Sequence, residues 1–258
     1  MKLNLQDKVV FVSGASRGIG FAIAKGFCGE GAKVVVSGRK ADSLEAAGAL
    51  LAAERPQGKV HLYRGDLCEE VCVEDAIRET IAVFGDIDIV IANVGSGEAQ
   101  SGWEIPEEHW ESVLRVNLMS GVHLAKASLP YLIKKNCGSI VFVASIAGLE
   151  AIGAPLPYAA AKAAILSAMK SLSRLAGTHG VRVNAVAPGN IFFPGGRWEE
   201  KLANDRENIM SSIHRDVSLR RFGSPEEVAD SVMFLASERA SFVTGACLVV
   251  DGGQTRAL

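Results

Sequence analysis

The sequence has no apolar stretch that is long enough to cross a membrane. Its longest apolar runs, such as residues 139–148, fall well short of the roughly 18 residues that a spanning helix needs. The first residues, MKLNLQDKVV, lack the apolar core of a signal peptide. The formal net charge is −2, and no basic tract marks a nucleic-acid surface. We therefore expect a cytoplasmic protein that binds neither a membrane nor nucleic acid.

Patterns typical of disulfides and metal sites are also missing. The five cysteines are an odd number, and Cys68 and Cys72 lack the second pair or histidine cluster that would complete a zinc set. The five histidines are scattered without ligand spacing. We expect reduced, mostly buried cysteines and no metal.

What the sequence does contain is an alternation of short β-branched runs and longer amphipathic stretches. Continuously apolar strands between helices are typical of a parallel sheet with helices on both faces. No linker or repeat divides the chain, so we predict that residues 1–258 form one α/β domain with a seven-stranded parallel sheet. The predicted strands are residues 9–13, 33–37, 60–64, 87–92, 138–145, 182–187 and 246–250.

A glycine-rich segment, SGASRGIG, joins the first predicted strand to the first helix. Its glycines, Gly14, Gly18 and Gly20, are spaced G-x-x-x-G-x-G, which differs from the common G-x-G-x-x-G fingerprint. Its position still favours dinucleotide binding over a plain tight turn, because N–H groups at a helix N-terminus bind pyrophosphate. We therefore interpret the domain as a Rossmann fold.

The end of the second strand indicates which dinucleotide is bound. NAD-binding folds place an acid there for the ribose 2′-hydroxyl, but residues 37–40 read SGRK. The nearest acid, Asp42, is better explained as a helix cap. Arg39, flanked by Arg17, suits a 2′-phosphate because a guanidinium donates two parallel hydrogen bonds. We expect NADP(H), with NAD(H) as the alternative if both arginines are only surface residues.

Tyr158 and Lys162 stand four positions apart in PYAAAKAAI, so they share one face of a helix. A nearby ammonium favours the phenolate and lowers the pKa of a tyrosine, which then becomes a general acid or base near neutral pH. Without other motifs nearby, the two residues would be interpreted as an ordinary pair on a helix surface, with the lysine extending into solvent. Here Ser145, at the end of a predicted strand, and the upstream glycine loop favour an active site.

In order and spacing, these motifs resemble the single-domain branch of the short-chain dehydrogenase/reductase family, of the 3-oxoacyl-reductase type. The resemblance covers nearly the whole chain. Besides the glycine loop it rests on Asp66-Leu67, the ANVG of residues 92–95 (NNAG in the family), Asn117 in VNLMSG, Ser145, Tyr158, Lys162, Pro188-Gly189 and Asp251-Gly252-Gly253.

The resemblance implies an oxidoreductase that interconverts a carbonyl and a secondary alcohol. Tyr158 would protonate the carbonyl oxygen as hydride arrives, Ser145 would hydrogen-bond that oxygen, and Lys162 would lower the pKa of Tyr158 and hold the nicotinamide ribose. Asn117 would anchor a water that relays protons to Lys162. With the loop and the arginines, the expected cofactor-binding set is Gly14, Ser16, Arg17, Gly18, Ile19, Gly20, Arg39, Asp66, Leu67, Asn93, Tyr158, Lys162, Pro188, Gly189 and Ile191.

One position departs from the family pattern. Many relatives carry a threonine four residues after Gly189 that contacts the nicotinamide carboxamide, and this chain has Phe193 there. Only the backbone of Ile191 is kept as a contact to that amide.

Residues 190–216 would form a mobile lid over the substrate, hinged at Gly195-Gly196; the alternative is an ordinary surface loop. Apolar walls in the lid predict a fairly apolar ketone, aldehyde or secondary alcohol as substrate. The expected lining residues are Phe192, Phe193 and Trp198, with Leu149, Glu150 and Ile152 from the segment after Ser145.

The helix from Tyr158 to Ala176 is apolar on more than one side, so more than one side should be buried. In the family this helix often packs against its copy in a partner subunit, and we expect a homo-oligomer, namely a tetramer.

Two other functions fit the sequence less well. A nucleotide-sugar epimerase usually adds a C-terminal substrate region after the last strand, and a non-catalytic dinucleotide-binding protein usually lacks the tyrosine or the lysine.

Overall fold

The computed structural model describes residues 2–54 and 59–256. Seven strands form one sheet in the order β3-β2-β1-β4-β5-β6-β7, and every neighbouring pair is parallel. This confirms the predicted seven-stranded parallel sheet. The strands are β1 Val9–Val12, β2 Lys33–Gly38, β3 Val60–Arg64, β4 Ile89–Ala92, β5 Gly138–Val143, β6 Val181–Pro188 and β7 Cys247–Val250.

Helices cover both faces of the sheet. Helices α1, α2 and α9 contribute to the apolar core on one face, and α3, α5 and α6 contribute to the core on the other. The helices are α1 Gly18–Gly29, α2 Ala41–Glu54, α3 Glu70–Phe84, α4 Glu107–Leu114, α5 Ser120–Lys135, α6 Leu156–Gly177, α7 Arg197–Asn204, α8 Arg206–Asp216 and α9 Pro225–Ala236.

The two cores follow from the alternation of side chains along a strand. In β1, Val10 and Val12 belong to the core beneath α1 and α9, whereas Phe11 belongs to the opposite core. All three side chains are fully buried. A strand that is buried on both faces must be apolar at every position, which is why the strands appear in the sequence as unbroken apolar runs.

Strand order reverses next to β1, which pairs with β2 on one side and β4 on the other. In open α/β sheets, ligands bind at the carboxyl ends of the strands beside such a reversal. The fold therefore places the candidate site beyond the ends of β1 and β4.

Two helix starts can be compared with the helix caps predicted from the sequence. Ser224 accepts a hydrogen bond from the Glu227 N–H, and the Glu227 carboxylate accepts one from the Ser224 N–H. In the sequence, the serine, proline and two acids of residues 224–227 predict an N-cap, a proline at the first helical position and an acidic first turn. The capping box, with Pro225 as the first residue of α9, confirms this prediction. The assignment of Asp42 as a cap was wrong, because α2 begins at Ala41 and Asp42 lies inside its first turn.

Within the described ranges, the structure has no helix that is both long and apolar enough to span a membrane. The same residues contain no cluster of three or more potential metal ligands. The five cysteines all lie in the described ranges and form no disulfide; Cys28 and Cys68 are buried, and Cys137 is exposed.

Candidate active site

Two adjoining cavities open at the carboxyl edge of the sheet. The larger, of about 320 Å³, is lined by the glycine loop, the ends of β5 and β6, and α6. The second is lined by the ends of β2 and β3 and includes Ser16, Arg39, Asp66 and Leu67. Gly14, Arg17 and Asn93 line both. The fold thus brings into one continuous cleft every expected site residue except Gly18 and Asn117.

The glycine loop is anchored by neighbouring strand ends. The side-chain amide nitrogen of Asn93 donates to the backbone carbonyls of Ser13 and Gly14 at 2.9 and 3.0 Å. The Ser13 hydroxyl accepts from the Asn93 N–H at 2.8 Å, and the Ser37 hydroxyl accepts from the Gly14 N–H at 3.1 Å. The loop is therefore held from both sides, by the ends of β2 and β4.

Gly18 has a φ of +59°, a conformation that residues with a Cβ rarely adopt. It stands at the first position of α1. The ring of Phe193 lies so close that a Cβ on Gly18 would be 2.7 Å from it. This ring covers the loop, which is why Gly18 itself does not line either cavity.

Ser145 lies just past β5, at the start of the 3₁₀ turn Ile146–Gly148, and its hydroxyl accepts a hydrogen bond from the Ala147 N–H. The turn packs directly on the backbone of α6: a Cβ on Gly148 would lie 2.5 Å from the carbonyl carbon of Lys162. Only glycine permits this approach. The contact sets Ser145 beside Tyr158 and Lys162, and all three line the larger cavity.

Lys162 is buried, with 4% of its surface exposed. Its ammonium donates to the Val143 carbonyl at 3.0 Å, and among the described residues no carboxylate forms an ion pair with it. Burial disfavours the charged form and lowers the pKa of Lys162 to about 8. The protein therefore holds a cationic group at this point at a cost to its own stability.

Tyr158 is half-buried, and its ring centroid is 5.8 Å from the Lys162 ammonium. Burial raises the pKa of Tyr158, and this effect outweighs the lowering by the Ser145 hydrogen bond and the Arg197 charge. The sequence predicted a lowered pKa from the neighbouring lysine. In the structure the direction is opposite, because loss of hydration outweighs the nearby groups.

Asn117 lies in a π-helical segment, Arg115–Met119, between α4 and α5. Its side-chain oxygen accepts from the Ser96 N–H at 3.0 Å, and its nitrogen donates to the Val113 carbonyl at 3.1 Å. A Cβ on Gly95 would lie 3.1 Å from both the Asn117 oxygen and the Lys162 ammonium. Asn117 therefore lies behind the cavity wall, and Gly95 separates it from Lys162.

The two arginines expected to select the dinucleotide both have partners. Arg39 faces Asp66 at 3.8 Å, and both side chains remain well exposed to solvent. Arg17 donates to the Gly195 carbonyl at 2.7 Å. Arg39 thus stays at the mouth of the second cavity, while Arg17 links the glycine loop to the segment of residues 190–216.

Most of that segment folds into α7 and α8. Phe193 and Trp198 line the larger cavity as expected, as does Ile191, which forms a bridge with Gly223. Phe192 was wrongly expected in the wall; its ring packs against Phe222 at 6.0 Å. After Ser145, Ile152 lines a neighbouring cavity, whereas Glu150 accepts a hydrogen bond from the Arg256 N–H.

Sequence reasoning missed Arg197, which lines the larger cavity together with Ser145 and Tyr158. It also missed Lys201, which lines the neighbouring cavity with the same residues. The sequence does contain a signal for these two residues. They are cations four positions apart on a short helix, where like charges repel each other, and such an unfavourable pair indicates a functional role.

The chain matches, over residues 14–255, the family model described as Enoyl-(Acyl carrier protein) reductase. It is 34% identical to the 3-oxoacyl-(acyl-carrier-protein) reductase FabG of Thermotoga maritima, over 97% of this chain and 99% of that protein. It is 38% identical to the L-fucose dehydrogenase of Mus musculus, over 95% and 88%.

Among solved structures, the L-sorbose reductase of Gluconobacter frateurii, complexed with NADPH and L-sorbose, superposes with a TM-score of 0.94 at 30% identity, over the full length of both chains. The match to the family model and the full-length identities exceed what a shared fold alone requires. The chain therefore belongs to the short-chain dehydrogenase/reductase family, whose members are oxidoreductases that act on carbonyls and alcohols.

Proposed function

We propose that the protein is an NADP(H)-dependent oxidoreductase that interconverts a carbonyl and a secondary alcohol, with Tyr158 as general acid and base. The observation that carries this proposal is the buried Lys162, which has no carboxylate partner among the described residues and lies beside Tyr158 and Ser145 in one cavity. A structural lysine would be paired or exposed. An unpaired buried cation in a cleft points to function.

The residues present fit a nicotinamide dinucleotide. The loop between β1 and α1 has two glycines with positive φ, Gly14 and Gly18, which carry no side chain of their own toward the cleft. A dinucleotide lying along this loop would displace the Phe193 ring from Gly18. When bound, the cofactor supplies or accepts a hydride.

Four side chains have the remaining roles in the reaction. Tyr158, whose raised pKa keeps it protonated at neutral pH, donates its proton to the carbonyl oxygen in the direction of reduction. Ser145 hydrogen-bonds the same oxygen, and the Lys162 ammonium would hold the nicotinamide ribose. Asn117 fixes the Ser96 N–H and so positions the loop between itself and Lys162; the proton-relaying water stays a prediction.

The test is a titration of the purified protein with NADPH and then with NADH, followed by nicotinamide fluorescence. We expect clearly tighter binding of NADPH and, with it, turnover of a panel of ketones. Tighter NADH would favour the alternative, an NAD(H)-dependent alcohol dehydrogenase. If neither dinucleotide binds, the protein is not the enzyme proposed.

Replacing Arg39 by aspartate should weaken NADPH binding by about 10- to 100-fold, because one charge-assisted contact to a phosphate is lost and a like charge is introduced. NADH affinity should change little or improve. Arg174→Asp, at an exposed position of α6, is the matched control. Equal dissociation constants of Arg39→Asp and the parent for NADPH would show that Arg39 does not read the 2′-phosphate.

We further propose that residues 190–216 form the substrate lid and that the protein is a homotetramer. Support for assembly comes from apolar side chains left exposed on α6, near β7 and on the edge strand β7 itself: Leu156, Leu175, Phe242, Leu248 and Val249. Light scattering at micromolar concentration should give four times the mass of one chain. The mass of a single chain would contradict the assembly.

A further inference from the structure

Two basic side chains on α7 face the cleft. Arg197 and Lys201 line a cavity that also includes Ser145, Tyr158 and Trp198. No residue of the glycine loop lines this cavity, in contrast to the cavity that contains Gly14, Arg17 and Lys162. The cavity therefore reaches the proposed proton donor from the side away from the cofactor loop, where a substrate would enter.

The position of Arg197 is fixed by the loop that follows β4. A Cβ on Gly97 would be 3.2 Å from the Arg197 guanidinium, so the guanidinium lies against that loop. Burial raises the pKa of Tyr158 and lowers that of Lys201; the Arg197 charge partly opposes the first shift and adds to the second. Arg197 thus spans the cleft between the proposed lid and the sheet edge, close to the reacting group.

This arrangement is unfavourable in the protein by itself. Like charges four residues apart repel each other on a helix, and a cation at the first turn of a helix also opposes the helix dipole. Lys201 is half-buried, with its ammonium 4.5 Å from the Trp198 ring centroid.

The nearby acids do not compensate these charges. Within the part of the chain that the structure describes, neither Arg197 nor Lys201 forms an ion pair. The Glu199 carboxylate accepts from the Gly195 N–H. Asp216, which lines the same cavity, is held by the Arg215 guanidinium through two hydrogen bonds of 2.9 Å.

We propose that Arg197 and Lys201 bind a carboxylate of the substrate, so that the preferred substrate is an oxo acid, or the corresponding hydroxy acid, rather than a neutral ketone. A guanidinium donates two parallel hydrogen bonds to a carboxylate, and the ammonium adds a second positive charge. This rests on the proposed function, because it assigns the substrate class of the same site. It differs from the expectation of a fairly apolar substrate, which was based on the aromatic residues of the segment.

The test compares 2-, 3- and 4-oxopentanoate with their methyl esters, using NADPH and following nicotinamide absorbance. We expect at least one acid to exceed its ester in kcat/KM by about 10-fold or more. Arg197→Gln should reduce this ratio to near one, mainly through KM, and Lys201→Gln should reduce it less. Arg197→Lys should recover part of it. Arg206→Gln, at the exposed first residue of α8 outside the cavity, should leave the ratio unchanged.

Reduction of the esters with no preference for any acid would overturn the inference and leave the proposed function intact. A rise in the dissociation constant for NADPH in Arg197→Gln, with an unchanged ratio, would overturn it in favour of a cofactor contact. If neither acids nor esters are reduced, the proposed function fails. The carboxylate site is then decided by calorimetry of the acids with the NADP⁺-saturated protein, where a lack of binding, or equal binding by Arg197→Gln, overturns it.

Discussion

Replacing Tyr158 by phenylalanine should lower kcat by about 10²- to 10⁴-fold, the usual range for loss of a general acid. The change removes one hydroxyl and leaves the ring in place on α6, so packing and the Lys162 neighbourhood are kept. NADPH affinity should stay within a few-fold of the parent, because the ring carries no charge that binds the cofactor. Steady-state kinetics and a fluorescence titration of the same preparation separate the two effects.

Tyr131→Phe is the matched control for this substitution. Tyr131 is a half-buried tyrosine on α5 that does not line the larger cavity, so its loss should leave kcat unchanged. Turnover by Tyr158→Phe within tenfold of the parent would remove Tyr158 from the mechanism. An equal fall in both variants would instead indicate a general packing defect.

Replacing Lys162 by methionine should reduce kcat/KM by about 100-fold or more and change how stability depends on pH. Burial lowers the pKa of Lys162 from 10.5 to about 8. Between those two values the unfolded chain binds a proton that the folded protein does not, so stability rises with pH across this window. Below pH 8 the folded protein carries the full penalty, on the order of 3 kcal/mol.

In Lys162→Met this contribution is absent. The free energy of unfolding from urea titrations at pH 7, 8, 9 and 10 should therefore rise less with pH in the variant than in the parent. The difference between the two proteins cancels the other groups that titrate in the same range. Lys170→Met is the control, because Lys170 lies on the same helix and donates to the Gly245 carbonyl but is exposed. Identical pH slopes for Lys162→Met and the parent would mean that Lys162 is not buried as described.

The elements that follow from local pattern were predictable from the sequence. An apolar run buried on both faces identifies a strand, and the glycine loop, Tyr158 and Lys162 follow from spacing along the chain. Helix starts were harder to predict: Ser224 caps α9 as predicted, but Asp42 lies within the first turn of α2 rather than at its cap. Whether a polar residue starts a helix or joins its first turn depends on backbone angles that composition does not determine.

What the sequence did not predict depends on contacts between distant segments. The direction of the Tyr158 pKa shift is determined by burial, which requires the packed cleft. The exposure of Arg197 to that cleft depends on how α7 lies against Gly97, a hundred positions earlier. Phe192 and Phe193 are adjacent and chemically identical, yet one packs on Phe222 and the other covers Gly18.

The backbone contact between the turn at Gly148 and helix α6 separates the placement of the proposed proton donor from the selection of the substrate. The turn that begins at Ser145 contacts the main chain of α6 at Lys162, so this contact does not depend on the side chains of residues 190–216. Side chains of residues 190–216 can then be exchanged without moving the proton donor. In the proposed enzyme, mutations in residues 190–216 would change the accepted substrate while the catalytic side chains keep their positions, whereas a substitution of Gly148 would displace them.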